Sequence, residues 1–251
     1  MRWVIQKNLF KPENYRLLVE ALGRLEVGYS SVFIPNGTLD LEPDVNHEGR
    51  VYVCGAIKLK KIAQERGWSP GSFLNDNFSF DVWVKHLGQT LLNSDAVFGK
   101  FNDIEIGQMD KFFVRPLEDN KAFDGMVIDS EMMKVWREDP RKSNLARLDV
   151  IASPVKEIHR EYRIFVVNRE VVTGSGYKVA GEPQVSKYID PDVIDFVYEV
   201  INKWIPSESV VIDVCLTESG YKVIEFNNIN SSGFYACDVQ KYVEAIQNAY
   251  A

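Results

Sequence analysis

No apolar run in this 251-residue chain approaches the length that a membrane-crossing helix requires. The opening residues, MRWVIQKNLFKPE, meet charge too early for a secretory signal. Cysteine is scarce: Cys54, Cys215 and Cys237 form no CxxC pair, and an odd count suits a reducing compartment. A cytoplasmic protein with no membrane partner is the expectation. Cys54 and Cys215 fall inside apolar strand-like runs, which predicts buried, inert thiols rather than nucleophiles. His47, His86 and His159 have no ligand spacing with one another or with a cysteine, which argues against zinc. No GxxxxGK[ST] stretch occurs, so any nucleotide is bound without a P-loop. A net charge of -7 argues against non-specific binding to nucleic acid or anionic membrane, yet leaves room for a local basic site. Internal repeats and low-complexity tracts are also absent.

What is present is the balance of a soluble globular protein, 45% apolar and 26% charged. The length allows one large domain or two modest ones. Strand-like WVIQ (3–6) precedes a helical stripe of Leu17, Leu18, Ala21, Leu22 and Leu25, and SSVFIP and RVYVCG follow as strands. Gly55 opens a second helix. This alternation implies a small parallel α/β sheet. The stretch around Pro70–Gly71 reads as a loop, and DVWVKHLGQTLLN as helix. Beyond residue 96 the pattern changes to strands with fewer helices: KFFVRPL, MVI, RLDVIASP, and a hairpin through EYRIFVVNREVVTGSGYKV turning at Asn168–Arg169. Asp129 and Asp190–Pro191 are helix-start signals, and DVQKYVEAIQNAY closes the chain as an amphipathic helix. An N-terminal α/β domain over residues 1–95 followed by an α+β core over 96–251 is the expected organisation.

Residues 213–228 read DVCLTESGYKVIEFNN. With Glu218–Ser219–Gly220 as a three-residue turn, Thr217 faces Tyr221 and Asp213 faces Glu225. Alternation then puts Val210, Ile212, Val214, Leu216, Ile224 and Phe226 on one apolar face. Asp213, Glu225 and Asn227 share the other with Val211, Cys215 and Val223. Opposed carboxylates repel unless a proton or a cation lies between them. Two carboxylates and an amide oxygen form a hard donor set suited to Mg²⁺. A hairpin with one solvated face is the alternative.

Cations that could face such a metal with a nucleotide stand at strand ends: Arg115 in FFVRP, Lys121 in DNKAFDG and Lys178 in GSGYK. EYRIFVV places Glu161 and Arg163 on one face and Tyr162, Ile164 and Val166 on the other. Each alone is more often a surface charge, and only together with the hairpin do they make a triphosphate site.

In the order FFVRP, NKAFDG, VIASPVKEI, EYRIFVV, GSGYK, Asp213, EFN, the stretch 98–251 resembles the ATP-grasp superfamily. Arg115 stands where most members have lysine. With Lys121 and Lys178 retained, this is similar to a divergent branch of phage and bacterial genomes with one arginine and two lysines. The resemblance implies an ATP-grasp fold, an α+β (α/β) class, and a small N-terminal parallel α/β domain. It implies ATP and Mg²⁺, with Asp213, Glu225 and Asn227 as metal ligands and Arg115, Lys121 and Lys178 on phosphates. Arg163 would stabilise the acyl phosphate or tetrahedral oxyanion. Ala152, Ser153 and Val155 would meet adenine, Glu157 the ribose, and Ser231 or Ser232 the acceptor. The implied reaction joins a small-molecule or peptide carboxylate to an amine or thiol through an acyl phosphate, releasing ADP and phosphate. Two other readings stand beside it. Lys121-Ala-Phe-Asp-Gly is similar to the Lys-x-Asp-Gly motif of nucleotidyltransferases, although one residue longer and without a following arginine. A non-catalytic nucleotide- or partner-binding module is the other.

Overall fold

A computed structural model of the chain describes residues 1–107, 109–117 and 123–251. Strands β1 (Arg2–Gln6), β2 (Tyr29–Val32), β3 (Arg50–Cys54) and β4 (Ser69–Gly71) form a parallel sheet in the order β2-β1-β3-β4. Helix α1 (Pro12–Arg24) buries Leu18, Ala21 and Leu22, the stripe its spacing predicts. Helix α2 (Ile57–Glu65) buries Leu59, Ile62 and Ala63. The stretch read as a loop at Pro70 is instead the edge strand β4, where a proline without an N–H is tolerated.

Helix α3 (Phe80–Leu87) is shorter than the sequence suggests, because Gly88 takes a left-handed φ of 53° and tightens the chain into a 3₁₀ turn. Strands β5 (Val97–Lys100), β6 (Lys111–Pro116), β7 (Met126–Asp129) and β8 (Asp149–Pro154) then build an antiparallel sheet ordered β5-β8-β6-β7. Helix α4 (Ser130–Glu138) interrupts it, capped by Asp129, whose carboxylate accepts the Met132 N–H at 2.7 Å.

The largest sheet comes last. Strands β9 (Arg160–Val167), β10 (Glu170–Val179), β11 (Glu182–Ser186), β12 (Val210–Thr217) and β13 (Gly220–Asn227) lie in the order β11-β10-β9-β12-β13, all antiparallel. Asn168 and Arg169 turn β9 into β10 with φ of 48° and 66°, the left-handed pair that a two-residue hairpin needs. Helix α5 (Pro191–Lys203) is capped by Asp190, and helix α6 (Val239–Tyr250) by Asp238.

Alternation along β9 and β12 decides what each face of this sheet does. Ile164, Val166, Ile212 and Val214 pack against α3 and α5 in one core cluster. Phe165, Val167 and Val211 point the other way, into a second cluster with α1, α6, Trp3 and Tyr52. Burying each large aliphatic side chain contributes about 1.5–3 kcal/mol. Glu161, Arg163, Asp213 and Cys215 continue that second face beyond the reach of α6. The smaller antiparallel sheet stands over them. The class is mixed α/β, as expected, and no helix among the described residues is long and apolar enough to cross a membrane.

Candidate active site

Three strands bring the central charges into line. Asp213 on β12 stands opposite Arg163 on β9 and opposite Glu225 on β13. Arg163 donates from Nε to Asp213 Oδ1 at 2.9 Å and from Nη2 to Oδ2 at 2.7 Å, a bidentate fork. Its third nitrogen, Nη1, donates to the Gly233 carbonyl at 3.2 Å. From the facing sheet, Arg115 Nη1 on β6 donates to Glu225 Oε2 at 3.0 Å. The order across the site is therefore cation, anion, anion, cation.

The hairpin reaches this pairing by an unexpected route. Thr217 pairs with Gly220 across a two-residue turn, one position tighter than the sequence suggests, and Gly220 carries a φ of 94°. A bulge between Val223 and Glu225 then restores Glu225 opposite Asp213. The faces of two residues are exchanged as a result. Val223 is buried in the core, paired with Val214, while Ile224 lines the cavity beside Glu225. A second bulge, between Gly176 and Lys178 on β10, leaves Tyr177 and Lys178 both lining that cavity.

The cavity measures about 430 Å³ and lies between the two antiparallel sheets. Among the described residues its charged lining is balanced: Arg115, Lys156, Arg163 and Lys178 against Asp124, Glu161, Asp213 and Glu225. Lys178 Nζ lies 3.3 Å from Glu161 Oε1, its cross-strand neighbour. Burial pushes the Asp213 carboxyl above the usual carboxylate range, and Glu225 and Glu161 add to this while Arg163 opposes it. For Arg163 burial acts downward, but the Asp213 charge outweighs it and holds the guanidinium firmly protonated.

Asn227 Nδ2 donates to Asp213 Oδ2 at 3.0 Å and to Glu225 Oε1 at 3.1 Å. A single position therefore lies within reach of both carboxylates, and turning the amide over would present Oδ1 to it. Among the described residues no three His, Cys, Asp or Glu side chains gather for a metal, and this amide is the further oxygen donor beside the two carboxylates. The all-oxygen set fits Mg²⁺, which tolerates few protein ligands and keeps waters.

The other residues singled out from sequence distribute unevenly. Lys121 lies outside the described residues. Ala152 is buried within the smaller sheet, and Ser153 Oγ, also buried, donates to Asn93 Oδ1 at 3.0 Å. Val155, past the end of β8, lines both this cavity and a neighbouring one of about 480 Å³. Glu157 lines only the neighbour. Ser231 and Ser232 donate to the Asn228 carbonyl and line neither.

Sequence reasoning missed Tyr177 and Tyr235. Their rings stack at 4.8 Å with an interplanar angle of 5°, and the Arg163 guanidinium lies 5.0 Å from the Tyr235 ring centre. Tyr235 also holds a φ of 49°, costly for a residue with a Cβ. The GSG before Tyr177 was the one available signal, since glycine inside a strand marks bulges.

Residues 94–245 match the family described as ATP-grasp domain, R2K clade family 2. Among curated proteins no sequence matches. Among solved structures, D-alanyl-alanine synthetase A from Vibrio cholerae aligns with a TM-score of 0.64 at 9% identity, covering 99% of this chain and 97% of its own. A RimK domain protein ATP-grasp from Sphaerobacter thermophilus gives 0.61 at 14% identity, covering 92% of each chain. The ATP-grasp ligase PsnB, complexed with minimal precursor, Mg and ADP, gives 0.55 at 12%, covering 93% and 90%. At such identities the likeness is one of fold.

Proposed function

This chain belongs to the ATP-grasp family, R2K clade family 2, and we propose that it is an ATP-dependent ligase joining a carboxylate to an amine or a thiol. The observation that carries the reading is the line Arg163, Asp213, Glu225, Arg115, closed by Asn227 in a cavity between two sheets. Residues 1–95 are read as a preceding domain and 96–251 as the ATP-grasp core.

In this reading the nucleotide lies along the cavity. Backbone groups near Val155, beyond the last paired residue of β8, meet adenine, and Glu157 in the adjoining space takes the ribose. Arg115, Lys178 and Lys121 take phosphate oxygens. Asp213, Glu225 and Asn227 hold magnesium, which when bound would neutralise the phosphates and polarise the phosphoryl group in transfer. The substrate carboxylate attacks the γ-phosphate, giving an acyl phosphate and ADP. An amine or thiol then attacks the acyl carbon, and inorganic phosphate leaves. Arg163, held protonated beside Asp213, faces the oxyanion of that second step and stabilises its charge. Peptides and small metabolites are both admitted as substrates. PsnB, whose fold is similar, was solved with a precursor, which makes peptides a sensible first pool.

The test is incubation with ATP, Mg²⁺ and pools of amino acids or peptides, following ADP, phosphate and new product masses. Mg²⁺-dependent ADP release, lost in Asp213→Ala and in Glu225→Ala, is expected. Release of AMP, or adenylation of Lys121, would overturn the reading in favour of nucleotidyl transfer. Full ADP release by both variants would remove the metal assignment.

A further inference from the structure

Every oxygen of the two carboxylates already has a donor within this chain. Asp213 Oδ1 accepts from Arg163 Nε, and Oδ2 from Arg163 Nη2 and Asn227. Glu225 Oε1 accepts from Asn227, and Oε2 from Arg115. Both arginines are themselves enclosed, with side chains 13% and 12% exposed. A divalent cation arriving alone would have to displace a guanidinium and leave its charge in the cavity without an anionic partner. A buried charge stripped of its partner is strongly unfavourable.

We infer that Arg115 and Arg163 act as internal counter-ions that bar divalent metal from the Asp213–Glu225 pair until a polyphosphate supplies them with replacement anions. The inference rests on the nucleotide-site reading above and adds to it an order of events. Phosphate oxygens draw the guanidinium groups away from the carboxylates, and the freed carboxylates then accept the metal. The triphosphate oxygens take the place of the carboxylates on the guanidinium groups, and the metal takes the place of the guanidinium groups on the carboxylates. Metal and polyphosphate must then strengthen one another's binding reciprocally.

Mn²⁺ without nucleotide is the direct probe, read by the electron paramagnetic resonance signal of the free ion. The wild-type protein should show no binding at millimolar Mn²⁺. Arg115→Gln should gain it, at least about tenfold tighter than wild type, as expected when one member of a competing equilibrium is removed. Adding Glu225→Gln to Arg115→Gln should abolish the gain, and Arg115→Lys, which keeps the charge, should stay close to wild type. Melting curves and circular dichroism establish that each variant is folded. Should Arg115→Gln not fold, Arg163→Gln, which removes the other guanidinium, provides the same comparison. Wild-type protein that binds Mn²⁺ as tightly as Arg115→Gln overturns the inference. The nucleotide-site reading fails separately, if a non-hydrolysable ATP analogue with Mn²⁺ does not bind wild type at all.

Discussion

Arg163–Asp213 and Lys100–Asp149 are built alike: each joins residues directly opposite on neighbouring antiparallel strands. The first lies at the centre of the five-stranded sheet, with side chains 13% and 3% exposed. The second lies at the edge of the smaller sheet, at 46% and 53%. The difference shows that pairing geometry does not decide what a charge pair does; the surrounding medium does. At the sheet centre, water cannot stand in for a lost partner, so both groups are committed to each other or to a ligand of like charge. At the edge, water replaces either partner at little cost. Chemistry is concentrated where that replacement is denied.

The strongest way to break this comparison is Asp213→Ala. Among the described residues, it leaves the enclosed Arg163 guanidinium with the Gly233 carbonyl and two aromatic faces for company. A loss of about 3–5 kcal/mol is expected in denaturant unfolding. Replacing both partners, Arg163→Met with Asp213→Leu, should recover most of that loss while metal–nucleotide binding stays absent. If the double variant is no more stable than the single, burial of unpaired charge is not what Asp213→Ala measures.

A subtler test concerns the bulge. Val223→Ala removes part of a fully buried side chain paired with Val214 and should cost about 1–3 kcal/mol. Ile224→Ala removes a larger side chain from the cavity wall and should cost under about 1 kcal/mol, while altering nucleotide affinity. Strict alternation makes the opposite prediction. Unfolding curves for the two variants therefore decide between a bulged and an unbulged β13.

That bulge also marks the limit of what could be read from sequence. The parallel strands up to Cys54, the helices with clear stripes or aspartate caps, and the mixed class were legible, because each rests on local periodicity and local capping. Opposition of Asp213 to Glu225 was also reached, but through an error in the turn that the bulge compensates. Register slips of one residue leave no trace in composition, and the same blindness hid Tyr177, which a second bulge turns into the site. The arginine caps on the carboxylates were missed for a different reason. Arg115 and Glu225 come from separate sheets 110 residues apart, and only tertiary packing sets their 3.0 Å contact. Opposed carboxylates need a proton or a cation between them, whereas here two guanidinium groups flank the pair and the Asn227 amide bridges it. The thiols of Cys54 and Cys215 were easier, since an apolar neighbourhood is legible locally, while Cys237 carried no such signal. All three are buried, and burial pushes each up to about 12.

Lys100→Met is the smallest expected effect and the sharpest control. Lys100 Nζ approaches Asp149 Oδ2 at 2.6 Å, closer than any contact in the Arg163–Asp213 fork. If short distance measured strength, this variant would rank with Asp213→Ala. With both groups largely in water, the attraction is screened and the ordering of a long lysine chain opposes it. A change below about 1 kcal/mol in unfolding free energy is expected, shrinking further in high salt. Asp149 would simply hydrate, and β5 would remain paired to β8 through Val97 and Phe98, whose backbone register does not depend on the charge. A loss above about 2 kcal/mol, well outside the range for exposed pairs, would mean that the edge strand is held by charge and that exposure is the wrong variable for telling the two pairs apart.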